Sequence, residues 1–172
     1  YITKKLIGMR STSDLALLVG SIYNSFTPTH QLPNKNRLFS CFNYDPKTGK
    51  VLRKATHQGV TDDSAWARGQ AWGLYGYAMC YANTKNQKFL QQAENIASFI
   101  MNHPRMPKDK VPVWDFDVHN AMDTDELAPR DASAAAVIAC GLLDLSSQAK
   151  DGKKYEDYAE AILKSLSSEA YL

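Results

Sequence analysis

Cysteine is scarce: Cys41, Cys80 and Cys140 are the three in 172 residues, and none forms a CxxC pair. A zinc ribbon and a multi-disulfide scaffold are therefore excluded, and at most one bridge is left open. An excess of one charge is also lacking. Lys and Arg number 20 and Asp and Glu 18, a net +2, so no broad field recruits nucleic acid or an anionic membrane. No apolar run approaches the roughly 18 residues needed to cross a bilayer. With 44% hydrophobic and 22% charged residues the chain is composed like one ordinary globular domain, not like a disordered segment. What is plentiful is aromatic: nine Tyr, six Phe and three Trp. Such residues line carbohydrate clefts and equally serve as core packing.

The first forty residues carry weak signals. Lys4, Lys5 and Arg10 ahead of Leu15 to Val19 superficially resemble a signal peptide, but Asp14 interrupts and no small-residue cleavage site follows. A short helix capped by Ser13 is the expectation, followed by a Pro-containing loop around Pro28 and Pro33. Two extended runs, 38–44 and 50–56, flank Asp45-Pro46-Lys47-Thr48-Gly49, in which Pro presets φ and Gly accepts the positive φ that closes a turn. A β-hairpin is predicted there.

From Ser64 onward the periodicity predicts four helices of two kinds. Residues 64–83 carry one charge, Arg68, and residues 131–145 are charge-free between Ser133 and Leu143. By contrast 86–102 and 153–167 are amphipathic, with Leu90, Ala93, Ala97 and Ile100, and Tyr155, Tyr158, Ala159, Ile162 and Leu166, along one face. A helix apolar all round is buried all round, and an amphipathic one covers it. The order inner, outer, inner, outer is that of helical hairpins arranged as one ring inside another. Gly69, Gly73, Gly76 and Cys80 form a small-residue stripe on the first inner helix, for which close approach of a neighbouring helix is the expected reason and direct approach of a ligand the alternative.

Asp62, Asp63 and Ser64 are all competent N-caps for that helix, and Asp131 for the second inner one. Arg68 needs a partner, because an unpaired guanidinium is costly to bury. Spacing leaves open a structural Arg–Asp bridge or a carboxylate ligand, with Trp72 one turn away as a ring to stack on. Trp66 would stand about 160° from Arg68 on a common helix, so both reach one ligand only if the helix starts near Arg68. Asp115 and Asp117 share a side of an extended run and could be paired carboxylates; without further oxygen or His ligands, no metal is expected. Arg130 could pair with either.

The run His57 to Trp72, continued by Gly73-Leu74-Tyr75-Gly76, closely resembles the signature of the unsaturated glucuronyl hydrolases, glycoside hydrolase family 88. Val111 to Asp117 and Arg130 to Ala136 resemble that family's later blocks in the same order, and Asn43-Tyr44-Asp45-Pro46 with Thr48-Gly49 its hairpin. The resemblance implies an all-α (α/α)6 barrel-type, six-hairpin fold with the short hairpin near 38–56. It implies hydration of the C4=C5 double bond of a 4,5-unsaturated uronic acid at the end of a lyase-generated oligosaccharide. An aspartic acid protonates C4, water adds at C5, and the hemiketal opens. It further implies a substrate-binding set of His57, Gln58, Trp66, Arg68 and Trp72, with Arg68 at the substrate carboxylate and Trp72 at the ring. No cofactor and no metal are implied.

The departures shape the rest of the expectation. The family's two essential aspartates precede the hairpin, and no match is found; Asp14 is the only carboxylate before Asp45, and Ser40 stands where relatives carry His. Twelve helices of about 12 residues with connections of about 6 need over 200 residues. The expected assignment is a C-terminal part of such a barrel over 39–172, an unassigned segment 1–38, and a chain inactive by itself. Its partner is an unsaturated uronic-acid oligosaccharide, with neither nucleic acid nor membrane, and with self-association through unburied barrel surface. The cytoplasm is the expected compartment, the periplasm the alternative. An unsaturated rhamnogalacturonyl hydrolase and a non-catalytic helical sugar- or partner-binding module are the competing readings.

Overall fold

Four helices carry the fold, and their charge content decides their places. The structure, a computed structural model, describes residues 41–55, 58–118 and 128–172. The Ser13-capped helix, the loop around Pro28 and Pro33 and the start of the first predicted strand lie outside those residues. The chain divides between Lys35 and Asn36, and everything described belongs to the second unit.

Helix α1, Ala67–Thr84, buries Ala67, Gln70, Ala71, Leu74, Tyr77 and Ala78, three or four residues apart along one face. It ends where Lys85 adopts φ 56° and donates its N–H to the Tyr81 carbonyl at 2.8 Å. Asn86 follows at once and accepts from Lys88 N at 3.1 Å, capping α2, Gln87–Met101. Helix α3 is Ala132–Ser146 and α4 is Lys153–Leu166. The turn between them leaves no room beside Gly152, where a Cβ would run into the Ser146 carbonyl.

Helix α1 packs on α2 and on α3, and α3 packs on α4. The charge-poor helices thus form the inner pair and the amphipathic ones the cover, as their patterns predict. The cover contributes Ala93, Ile96, Ala97 and Ile100 from α2 and Tyr155, Ala159 and Ile162 from α4. Each fully buried Leu, Ile or Phe in this core stabilises the fold by about 1.5–3 kcal/mol.

Two features of the inner helices qualify the pattern read from the sequence. Close approach between α1 and α3 is made by Gly141 of α3, whose Cβ would lie 3.0 Å from Tyr75 N and 2.9 Å from Leu74 Cγ. Within the predicted stripe, a Cβ at Gly76 would meet nothing within 4 Å, so no neighbour requires that glycine. These helices also leave apolar surface uncovered, as expected of part of a barrel. Trp72 is 56% exposed and Leu143 40%, with Ala136 and Cys140 exposed beside Leu143 on α3. The apolar side away from α2 and α4 is therefore open among the described residues.

The predicted hairpin is present. Strand β1, Cys41–Tyr44, pairs antiparallel with β2, Val51–Ala55, with an irregularity between Asn43 and Tyr44. Asp45 Oδ1 accepts from Lys47 N and Thr48 N, both at 2.8 Å, and Gly49 takes φ 69°. Those two N–H groups hold the Asp45 carboxyl below its ordinary pKa. Among the described residues no helix is long and apolar enough to cross a membrane.

Just past the end of α2, His103 lies among Phe99 and Phe116, with ring centroids 5.0 and 4.7 Å away. Burial lowers its pKa; Arg105 pushes the same way and Asp117 opposes. The unfolded chain then binds the imidazole proton more readily than the folded one, so stability rises with pH across this titration. We expect His103 to contribute its full share above about pH 6.5 and to lose it as pH falls through the lower folded-state value. Urea unfolding at pH 7.5 and 5.5 checks this: His103→Gln should flatten the difference, and an unchanged slope would assign it to other groups.

Candidate functional site

Both inner helices start from one narrow ribbon. The central strand of the ribbon is the run Pro112 to Phe116. On one side Phe116 N donates to Ala65 O and Ala67 N to Trp114 O, both at 3.0 Å; on the other Trp114 N donates to Pro129 O at 3.0 Å and Asp131 N to Pro112 O at 2.8 Å. The flanking segments run straight into α1 and α3. The first turns of two helices far apart in sequence are therefore fixed by one set of main-chain bonds.

Asp115, fully buried, organises the loop that leads into α1. Its Oδ2 accepts from Val60 N at 3.0 Å and from the Ser64 hydroxyl at 2.6 Å, and its Oδ1 accepts from Asp117 N at 2.9 Å. Asp117 Oδ2 accepts from Ala65 N at 2.8 Å. The two carboxylates thus hold neighbouring N–H and O–H groups and do not form a facing pair. Among the described residues no cluster of three or more His, Cys, Asp or Glu could hold a metal. Arg130 donates to the Val111 carbonyl at 3.3 Å, in place of the pairing considered with Asp115 or Asp117.

This ribbon also displaces the predicted caps of α1. The helix begins at Ala67, and its N-cap is Trp66, which makes no side-chain cap bond. Ser64 is held by Asp115, Asp62 forms an ion pair with Arg53 of β2, and Asp63 is exposed. With Arg53 and Asp62 both largely exposed, that pair is worth under about 1 kcal/mol. Asp131 does cap α3, its Oδ1 accepting from Ala134 N at 2.8 Å.

Since Trp66 precedes the helix with φ −57° and ψ 122°, the 160° separation expected on a common helix does not apply. Its indole comes under Arg68, whose Cζ stands 5.4 Å from the ring centroid. Trp72 does not supply that ring; it is exposed and lies 6.4 Å from the Tyr75 ring. Arg68 Nε donates to Asp131 Oδ2 at 2.8 Å, with 44% of its side chain exposed and 6% of that of Asp131. The structure thus unites Trp66, Arg68 and Asp131 where α1 and α3 begin. Trp72 is one turn along the same helix. Gln58 is exposed in the loop, and His57 lies outside the described residues. Asp131 was legible as a cap but not as the partner of Arg68. The signal was there: the one charge on α1 sits in its first turn, and the N-cap of α3 is an acid.

Inner helices with little charge, each paired with an amphipathic outer helix, make this part of a six-hairpin α/α barrel, the architecture of its structural neighbours. No protein-family model matches the chain. It is 47% identical over 146 residues to an unsaturated glucuronyl hydrolase of Formosa agariphila, which covers 85% of this chain and 35% of that protein. The solved structure of an unsaturated glucuronyl hydrolase specific for heparin superimposes with TM-score 0.79 at 57% identity, over 88% of this chain and 39% of the other. A Streptococcus agalactiae unsaturated glucuronyl hydrolase variant, complexed with dGlcA-GalNAc6S, gives TM-score 0.70 at 28% identity over 98% and 43%. Sequence and structure both match the chain to the unsaturated glucuronyl hydrolases, glycoside hydrolase family 88, over part of their length. It spans about a third of the curated relatives it matches.

Removing Asp115 would leave three donors in or near the interior without their acceptor. Asp115→Ala should therefore lower the unfolding free energy by about 3 kcal/mol or more, and Ser64→Ala by about 1. Denaturant titration checks both; equal, sub-kilocalorie losses would show that the ribbon holds without the carboxylate.

Proposed function

We propose that residues 39–172 are the part of a family 88 barrel that recognises the unsaturated uronide, and that the 172-residue chain binds this ligand without turning it over. Arg68 carries the reading. Its Nε is engaged by Asp131, while Nη1 and Nη2 have no partner among the described residues, on a side chain 44% exposed over an indole face. A carboxylate can accept from that pair of nitrogens, and a sugar ring can lie against the exposed Trp72. The reaction proposed for the complete protein is the hydration described above, with protonation at C4 and water addition at C5. The buried carboxylates described here, Asp115 and Asp131, are committed to hydrogen bonds, and neither is placed as the proton donor. The cytoplasm is the proposed compartment, supported by the free thiols of Cys80 and Cys140.

An unsaturated glucuronyl disaccharide titrated into the chain should bind in about the millimolar range, with no loss of the ultraviolet absorbance of its C=C–carboxylate group. Arg68→Lys keeps the charge but loses the planar fork, and should weaken binding about tenfold or more at little cost in stability. Trp72→Ala should also weaken binding while leaving the fold intact, since the ring is largely exposed. Turnover by the chain would overturn its inactivity, and unchanged affinity in Arg68→Lys would overturn the site.

The open apolar side of α1 and α3 supports self-association of the isolated chain through Trp72 and Leu143. Light scattering should report a mass above 19.2 kDa, reduced by Trp72→Ser; a strictly monomeric species would count against it.

A further inference from the structure

The geometry points to Asp131 as the positioning residue that aims the guanidinium of Arg68 at an anionic ligand and ties that aim to the start of α3. The inference rests on the reading of Arg68 as the carboxylate-binding group, and it adds a residue that the sequence marked only as a helix cap.

The observation is how the ion pair is made. Asp131 takes Arg68 from the side, through Nε alone at 2.8 Å, and not through the fork of Nη1 and Nη2. An arginine has five N–H donors in one plane, so engaging Nε at one edge, with Cζ 5.4 Å from the Trp66 ring centroid, leaves the donors of Nη1 and Nη2 for a ligand. The carboxylate itself cannot follow the arginine into solvent. Its other oxygen accepts from Ala134 N at 2.8 Å, its own backbone N donates to Pro112 O at 2.8 Å, and it is 7% exposed. Asp131 is thus bolted to the ribbon and to α3, and Arg68 swings only from that fixed point.

The charges agree with this arrangement. A carboxylate at a helix N-terminus is partly offset by the helix dipole and by the N–H group it accepts from. Asp131 therefore does not cancel the field of Arg68 as a solvent-facing carboxylate would, and a second anion can still be attracted to the free side of the guanidinium.

Asparagine separates the two duties, since it caps a helix as well as aspartate does but carries no charge. In the full 172-residue chain, Asp131→Asn should keep the cap, with the Ala134 amide still protected from exchange. It should release Arg68, whose Nε–H resonance, identified by its loss in Arg68→Lys, changes from slow to fast solvent exchange. Affinity for an unsaturated glucuronyl disaccharide should fall about tenfold or more, with no further loss when Asp131→Asn is added to Arg68→Lys. An Nε–H that exchanges fast in the parent chain, or that stays protected in Asp131→Asn, would overturn the positioning role. So would an affinity lowered by Arg68→Lys but untouched by Asp131→Asn. If neither substitution changes affinity while Nε–H behaves as expected, the reading of Arg68 as the ligand-binding group fails and the positioning of its side chain stands.

Discussion

A single buried carboxylate, that of Asp115, holds the entrance to the helical layer together. It gathers Val60 N, the Ser64 hydroxyl and Asp117 N around itself, which pins an otherwise irregular loop against the run from Pro112 to Phe116. The same run bonds to Pro129 and Asp131 on its other side. Without that anchor, Trp66 has no reason to sit outside the helix with its ring under Arg68. The placement of a cation and an aromatic face at one spot thus depends on a residue that touches neither. Burial makes the arrangement strict: a carboxylate at 0% exposure must keep its donors, so the loop cannot wander without leaving a charge unpaired.

The fold was legible to the extent that it follows from periodicity. Four helices, their inner and outer roles and the hairpin turn at Asp45 to Gly49 all come from patterns that act within a few residues. The errors share one cause, which is tertiary pairing between distant segments. Asp62, Asp63 and Ser64 have the chemistry of N-caps, but main-chain bonds from Ala65 and Ala67 to the 114–116 run delay the helix to Ala67. Gly76 belongs to a run that looks like a helix-contact stripe, yet a Cβ there would meet nothing within 4 Å, and the close approach of α3 to α1 is made at Gly141. Nothing local to residues 64–83 records that.

The site was legible by type more than by partner. A lone arginine on an apolar helix announces that it needs a carboxylate, and both a ligand and an aspartate were open. The structure supplies the aspartate through one nitrogen and leaves the Arg68 side chain 44% exposed, so an aspartate partner and a ligand do not exclude each other. Trp66 and Trp72 exchange parts for the reason already given: the ring that precedes the helix reaches Arg68, and the ring one turn later faces outward.

The connectivity of the helices also bears on the order in which the chain acquires its structure. Lys85 and Asn86 alone separate α1 from α2, so that pair forms from neighbours in sequence and closes quickly, as does α3 with α4. Contact between α1 and α3 is different in kind, because everything from Gln87 to Asp131 must first be looped back. Loop closure of this length costs entropy that grows only with the logarithm of the number of residues, but it has to be met before the Gly141 contact returns anything. Docking of the two helical hairpins is therefore the step expected to be slow, with the ribbon that carries Asp115 joining the starts of α1 and α3.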